Sequence, residues 1–142
     1  MNFKEQVGLK GSDNPISTFI SMCFEARNKT HIAHLRTTSY AQHMALFSFY
    51  TGIIPLADAV AESYQGKYGI ISDYPSAILS GSGVDVVKGL RTWIEKNRSK
   101  ISSDSNIQND IDAIVTLCNS TIYKLEFLKQ FYGGFIPPSF IL

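Results

Sequence analysis

Charge is scarce in this chain, and sulfur is scarcer. Charged residues make up 18% of the 142 positions, 13 basic against 12 acidic, for a net charge of +1. No run of lysines or arginines occurs, which argues against a nucleic-acid tail. Cys23 and Cys118 are the only cysteines; with no metal-like spacing they read as two buried thiols rather than a disulfide framework. The N-terminus lacks a basic region leading into an apolar run, and no segment reads as a membrane span, so folding in the cytoplasm is the default expectation. No Glu-x-x-His occurs anywhere. That absence excludes a di-iron centre built from the helices of one bundle, which draws ligands from such motifs.

What remains is a chain rich in aromatics, at 12%, and long enough for one domain with its own core. Few charges and many rings together suggest an oligomeric interface. Helical periodicity dominates. Residues 1–13 read as a loose arm. Asn14 followed by Pro15 is a start signal, an N-cap and a first-turn proline, and Ile16, Phe19, Ile20, Cys23, Phe24 and Arg27 then recur at helical spacing through His31 and His34. Arg36 to Thr38 end this helix. Ser39 with Gln42 forms a capping box for a second one, expected to turn Tyr40, Met44, Phe47, Tyr50, Ile54, Ala57 and Ala61 to one side. Leu46, Phe49 and Ile53 make this helix apolar on more than one face, which implies contacts with both the core and a neighbouring subunit. Pro55 should kink it near Tyr50 to Thr51.

After Gly66 comes a long connection. Pro75 to Leu79 read there as a short helix with Asp73 as a start signal, and a connection of this length suits a crossover. A third helix follows Gly83, with Val84, Val87, Leu90, Trp93, Ile94 and Ile101 inward; its Lys88, Arg91, Lys96, Arg98 and Lys100 read as a solvated face. Ser105 with Gln108 reads as a capping box for the fourth helix, whose stripe runs from Ile107 to Leu128. Gly133 and Gly134 end it. The uncharged tail, residues 135–142, should pack on its own oligomer rather than on a foreign protein such as a virion component. The expected organisation is therefore an arm at 1–13, an all-α four-helix bundle at 14–134 and an apolar tail at 135–142.

The chemistry concentrates between His31 and Glu62. This stretch contains all three histidines, His31, His34 and His43, followed by Asp58 and Glu62. His31 and His34 share one helix face, as do Asp58 and Glu62. Imidazoles with carboxylates suit iron, manganese or zinc. His43 and Asp58, however, lie about 22 Å apart along one helix, so one subunit cannot bring the set together. Two copies paired antiparallel about a two-fold axis could. The alternative is a metal-free network in which Arg27 and the histidines bond to Asp58 and Glu62.

The strings HLRTTSYAQHMAL, from His34, and AESYQGKYG, from Ala61, resemble a group of phage-encoded proteins and, more broadly, the Dps-like branch of the ferritin-like superfamily. The resemblance implies a ferritin-like bundle with a short helix between its second and third helices. It also implies assembly as a two-fold dimer or larger closed shell, and iron bound between subunits with ferroxidase-type oxidation of ferrous ion. Carried over, the metal ligands are His43, Asp58, Glu62 and either His31 or His34. Phe47 stands where the family places a further aspartate. DNA protection, known in that family, has no basic segment to support it here. The competing expectation is a metal-free structural protein, in the host cytoplasm or in a virion.

Overall fold

A computed structural model describes residues 14–129; the arm, the glycine pair at 133–134 and the apolar tail expected from the sequence lie outside that range. The described residues form four α-helices: α1 (Pro15–Arg36), α2 (Tyr40–Tyr68), α3 (Gly83–Asn97), continued by a 3₁₀ turn (Arg98–Lys100), and α4 (Ser105–Phe127). No strand lies among the described residues. The starts follow local chemistry. Asn14 Oδ1 accepts from Ile16 N at 3.3 Å, with Pro15 in the first turn. Ser39 Oγ accepts from Gln42 N at 3.3 Å, but the reciprocal half of that box is absent: Gln42 Oε1 instead accepts from the Thr37 hydroxyl at 2.9 Å.

The strongest cap is one the sequence reading passed over. Ser82 and Asp85 form a complete capping box at α3, each side chain bonded to the other's backbone N–H. Those bonds from Ser82 hold the Asp85 carboxyl below its ordinary range. At α4 the expected box does not form. Asp104 is the N-cap, its side chain making no capping bond to the helix, and the Gln108 amide turns back to the Arg98 and Ser102 carbonyls, at 2.9 and 2.6 Å.

The helices form a square in which α1 and α4 each neighbour α2 and α3. Directions follow from what meets at each end. Gly83, opening α3, packs against Leu46 near the start of α2 and Ala33 near the end of α1, and Leu125 near the end of α4 clusters with Ala45 and Leu46. At the far end Lys67 Nζ and the Tyr68 hydroxyl, closing α2, bond to Asp104 at 2.7 and 2.5 Å. So α2 and α3 run one way, α1 and α4 the other, and residues 69–82 cross between diagonal helices.

That crossover contains no helix. Instead of a turn at 75–79 it is extended, with Pro75, Ala77 and Leu79 buried and Ser76 and Ile78 exposed. Alternation of this kind is a period of two. The physical reason is reach: Leu46 and Tyr68 differ in level by about 33 Å along α2, a span extended residues cover at about 3.3 Å each. A helical turn would shorten it.

The core joins Phe19, Phe49, Ile53, Leu90, Ile94, Ile107, Ile111 and Ile114, all essentially inaccessible. Cys23 and Cys118 lie within it. Burial pushes both thiols up, Cys118 to about 12. On α1 the buried stripe continues through Ala26, Thr30 and His34, while Phe24 is exposed.

On α2 the inward face differs from the expected one. Leu46, Phe49, Ile53, Ala57 and Val60 are buried, whereas Tyr40, Met44 and Phe47 are 69%, 41% and 43% exposed. The helix passes Pro55 without a break. Pro55 is exposed, and the Thr51 hydroxyl, one turn earlier, donates to the Phe47 carbonyl at 2.7 Å. Contrary to the sequence reading, α2 is also long and apolar enough to cross a membrane by length and composition: its best window averages a hydropathy of 1.5, with 33% of that window buried. One such helix is weak evidence for a span. Its main consequence here is an apolar face left without cover.

Candidate functional site

The histidines gather where α1 ends and α2 begins. A helix end leaves its last carbonyls without intrahelical donors, and the three-residue turn at 37–39 brings the first turns of α2 beside them. His43 Nδ1 bonds to the His34 carbonyl at 2.9 Å, and His34 Nδ1 to the His43 carbonyl at 2.6 Å. Their rings stack at 3.6 Å between centroids. A carbonyl only accepts, so each Nδ1 carries the hydrogen, and each Nε2 is the nitrogen without a hydrogen-bond partner among the described residues. Fixing Nδ1 on a backbone carbonyl is how proteins commonly orient a metal-binding imidazole. It is equally a clamp that ties α1 to α2.

His31 takes a different role. Its ring stacks on Tyr50 at 4.0 Å, and Tyr50 meets His34 edge-on at 5.1 Å. Between His31 and His34 as the partner of His43, the structure brings His34 to it. Arg27 does not pair with Glu62: its guanidinium lies 5.8 Å over the Tyr50 ring and donates to Asn28 Oδ1 at 3.2 Å. The expected network from Arg27 and the histidines to the carboxylates therefore does not form within one copy.

Asp58 and Glu62 are exposed on the outside of α2 and form no ion pair among the described residues. Within one copy no three His, Cys, Asp or Glu side chains of the described residues converge as a metal-binding group, so the donor set of a single subunit does not fit a metal ion. The carboxylates belong to a different pattern. Tyr40, Met44, Phe47, Thr51, Pro55, Asp58 and Glu62 recur at steps of three and four and are all exposed, which makes one continuous outer stripe of α2. Its first half is apolar. Its second half is acidic, and the basic groups Arg27, His31 and His43 lie beside the first. Sequence periodicity could have found this stripe; apolar residues all round α2 hid which side faced outward.

The basic residues of α3 are largely engaged across the surface. Lys88 pairs with Glu126, Arg91 bonds to Asn119 at 2.8 Å, and Arg98 reaches Asp112 at 2.5 Å and Gln108 at 2.8 Å. A family model described as a family of unknown function, DUF5856, matches residues 34–125, more than half of the chain and starting at the first of the paired histidines. No curated protein matches the chain, and no solved structure does.

Proposed function

The chain belongs to DUF5856, a family of unknown function, and from that premise we propose that it acts as an oligomer-forming four-helix bundle of the ferritin-like, Dps-like kind that binds a divalent metal between two copies. The observation that carries this reading is the outer stripe of α2. Apolar and flanked by histidines at one end and acidic at the other, it is self-complementary when two copies lie antiparallel, as a two-fold axis requires. The axis would pass near Thr51, midway between His43 and the carboxylates. His34 and His43 of one copy, with Nε2 free, would then be joined by Asp58 and Glu62 of the other. Iron, zinc and manganese all suit such ligands. The single long crossover also supports the ferritin-like comparison, because that bundle type uses one.

A second reading has its own support. Phe47 stands where the resembled family has a carboxylate, and Arg27 brings a fixed positive charge to the Tyr50 ring beside His31. On this reading the same face pairs two copies without metal, and the histidines are only the clamp.

Native mass spectrometry and elemental analysis of protein purified without chelator, applied to the natural chain and to His43→Ala, separate the two. The metal reading expects an even-numbered oligomer with near-stoichiometric metal that chelator removes and His43→Ala lacks. An oligomer that takes up no metal after ferrous loading would refute it, and ferroxidase activity with it. Loss of the His43 bond to the His34 carbonyl should cost about 1–2 kcal/mol of stability under either reading.

A further inference from the structure

At the end of the bundle where α1 and α4 finish and α2 begins, three large apolar side chains stand mostly in the open: Leu35 at 70%, Tyr40 at 69% and Phe127 at 72% exposure. Met44 and Leu128 join them at 41% and 48%. Since α2 has α1 on one side and α4 on the other, these five residues lie on three successive helices across one end. An aromatic side chain presents about 200 Å², so Tyr40 and Phe127 alone leave about 280 Å² uncovered. With the other three, the total reaches the size of the largest patch a monomer ordinarily shows, about 300–600 Å².

The chain itself brings an occupant to this place. The described residues stop at Lys129, just past Phe127 and Leu128. The thirteen residues that follow, 130–142, include no charged side chain and seven that are Phe, Tyr, Ile or Leu. The end of α4 is also open. The C-cap residues of α1, α2 and α3 each return a backbone N–H to a carbonyl of their own helix, whereas Leu128 makes no such bond for α4 among the described residues. The last carbonyls of α4 therefore take their donors from outside the helix. Reach is ample: crossing from α4 over α2 to α1 takes about 20 Å, two helix spacings, and thirteen extended residues cover about 40 Å. Gly133 and Gly134 permit a change of direction, and Pro137 and Pro138 bar a continuing helix. A tethered segment also meets its site at millimolar effective concentration, an advantage no free partner has.

We propose that residues 130–142 dock on this end of their own bundle and cover Leu35, Tyr40, Met44, Phe127 and Leu128. The docked segment would shield the apolar start of the outer stripe of α2, where Tyr40 and Met44 lie, and leave Phe47 to a second copy. Docking of this kind is independent of any metal.

The test is a spin-label distance measurement on the full chain. One label pair is carried by Thr38→Cys with Ser139→Cys, Thr38 being exposed in the turn between α1 and α2. The control pair is Ser103→Cys with Ser139→Cys, Ser103 being exposed at the opposite end. The native Cys23 and Cys118 are buried and stay unlabelled. The first pair should give a narrow distance of about 20 Å or less, two helix spacings, and the control about 40 Å, the length of α2. Excess unlabelled chain should change neither. Leu35→Ser combined with Tyr40→Ser should broaden the short distance while circular dichroism stays native. A broad distribution for the first pair, or a short distance that survives in the folded double serine variant, would overturn the proposal. So would a short distance lost on dilution with unlabelled chain, which assigns the occupant to a second copy, or one that forms only with phosphatidylglycerol vesicles, which assigns it to a lipid surface.

Discussion

Phe47→Ala tests the pairing surface most directly. The ring is 43% exposed, and its ring contacts among the described residues are a tilted one with His34 and an edge-on one with Tyr50, at 6.1 and 5.5 Å between centroids, so its removal should leave the monomer folded. A phenylalanine side chain presents about 200 Å², of which the exposed share is about 85 Å². Covering that area with a second copy is worth about 2 kcal/mol at about 25 cal/mol per Å². A two-fold axis counts it twice, giving about 4 kcal/mol per dimer. Because alanine retains part of the surface, the expected weakening is about hundred- to thousandfold in the dimer dissociation constant. Sedimentation equilibrium over a wide concentration range, with circular dichroism as the control for folding, reads this out. A natural chain that stays monomeric at high concentration would refute the reasoning, as would a variant that assembles just as tightly.

The Asp104 latch should make stability depend on acid. Its hydrogen bonds from Lys67 and then Tyr68 hold the Asp104 carboxyl below its ordinary range, so its contribution is present above about pH 4 and is lost as pH falls through the lowered folded value. Asp104→Asn should flatten the acid limb of a pH series of thermal melts. Lys67, raised chiefly by its bond to Asp104, contributes in the opposite sense: its share is complete below its unfolded value and is lost as alkali deprotonates the folded form. Gly81→Ala should destabilise by about 1–3 kcal/mol, since it combines a left-handed backbone with a collision on Asp85; urea unfolding measures it, and an unchanged midpoint would contradict the crossover geometry. Cys23 and Cys118, buried and with thiols pushed up, should resist a thiol reagent at neutral pH until denaturant is added. Rapid labelling of either in native protein would show that the core opens readily.

Local signals were legible where their physics is local. Asn14 with Pro15, and Ser39, mark helix starts because a cap needs only its own next two or three residues. The α4 stripe, expected from Ile107 to Leu128, was equally plain as far as Leu125, since one apolar face leaves one way to pack; Leu128 lies past the helix end and is exposed. The Ser82 and Asp85 box was written in the same code and missed because glycines on either side read as loop.

Other features had no local signature. The 37–57 stretch contains no Asp, Glu, Lys or Arg, so periodicity could not say which side of α2 meets α1 and α4. Pro75, Ala77 and Leu79 are compatible with a helical turn until the distance they must cross is known. His34 and His43 are nine apart, and only the hairpin angle between α1 and α2 stacks them. The sequence by itself determined four helices, the capped starts of two of them and the separation of His43 from the carboxylates along one helix, because rise per residue and capping are properties of the backbone. Tertiary structure alone decided that α2 keeps an apolar and acidic stripe outside, that His34 rather than His31 meets His43, and that the crossover runs extended between diagonal helices. Each of these depends on how helices rotate and approach one another, which is set by packing among residues far apart in the chain.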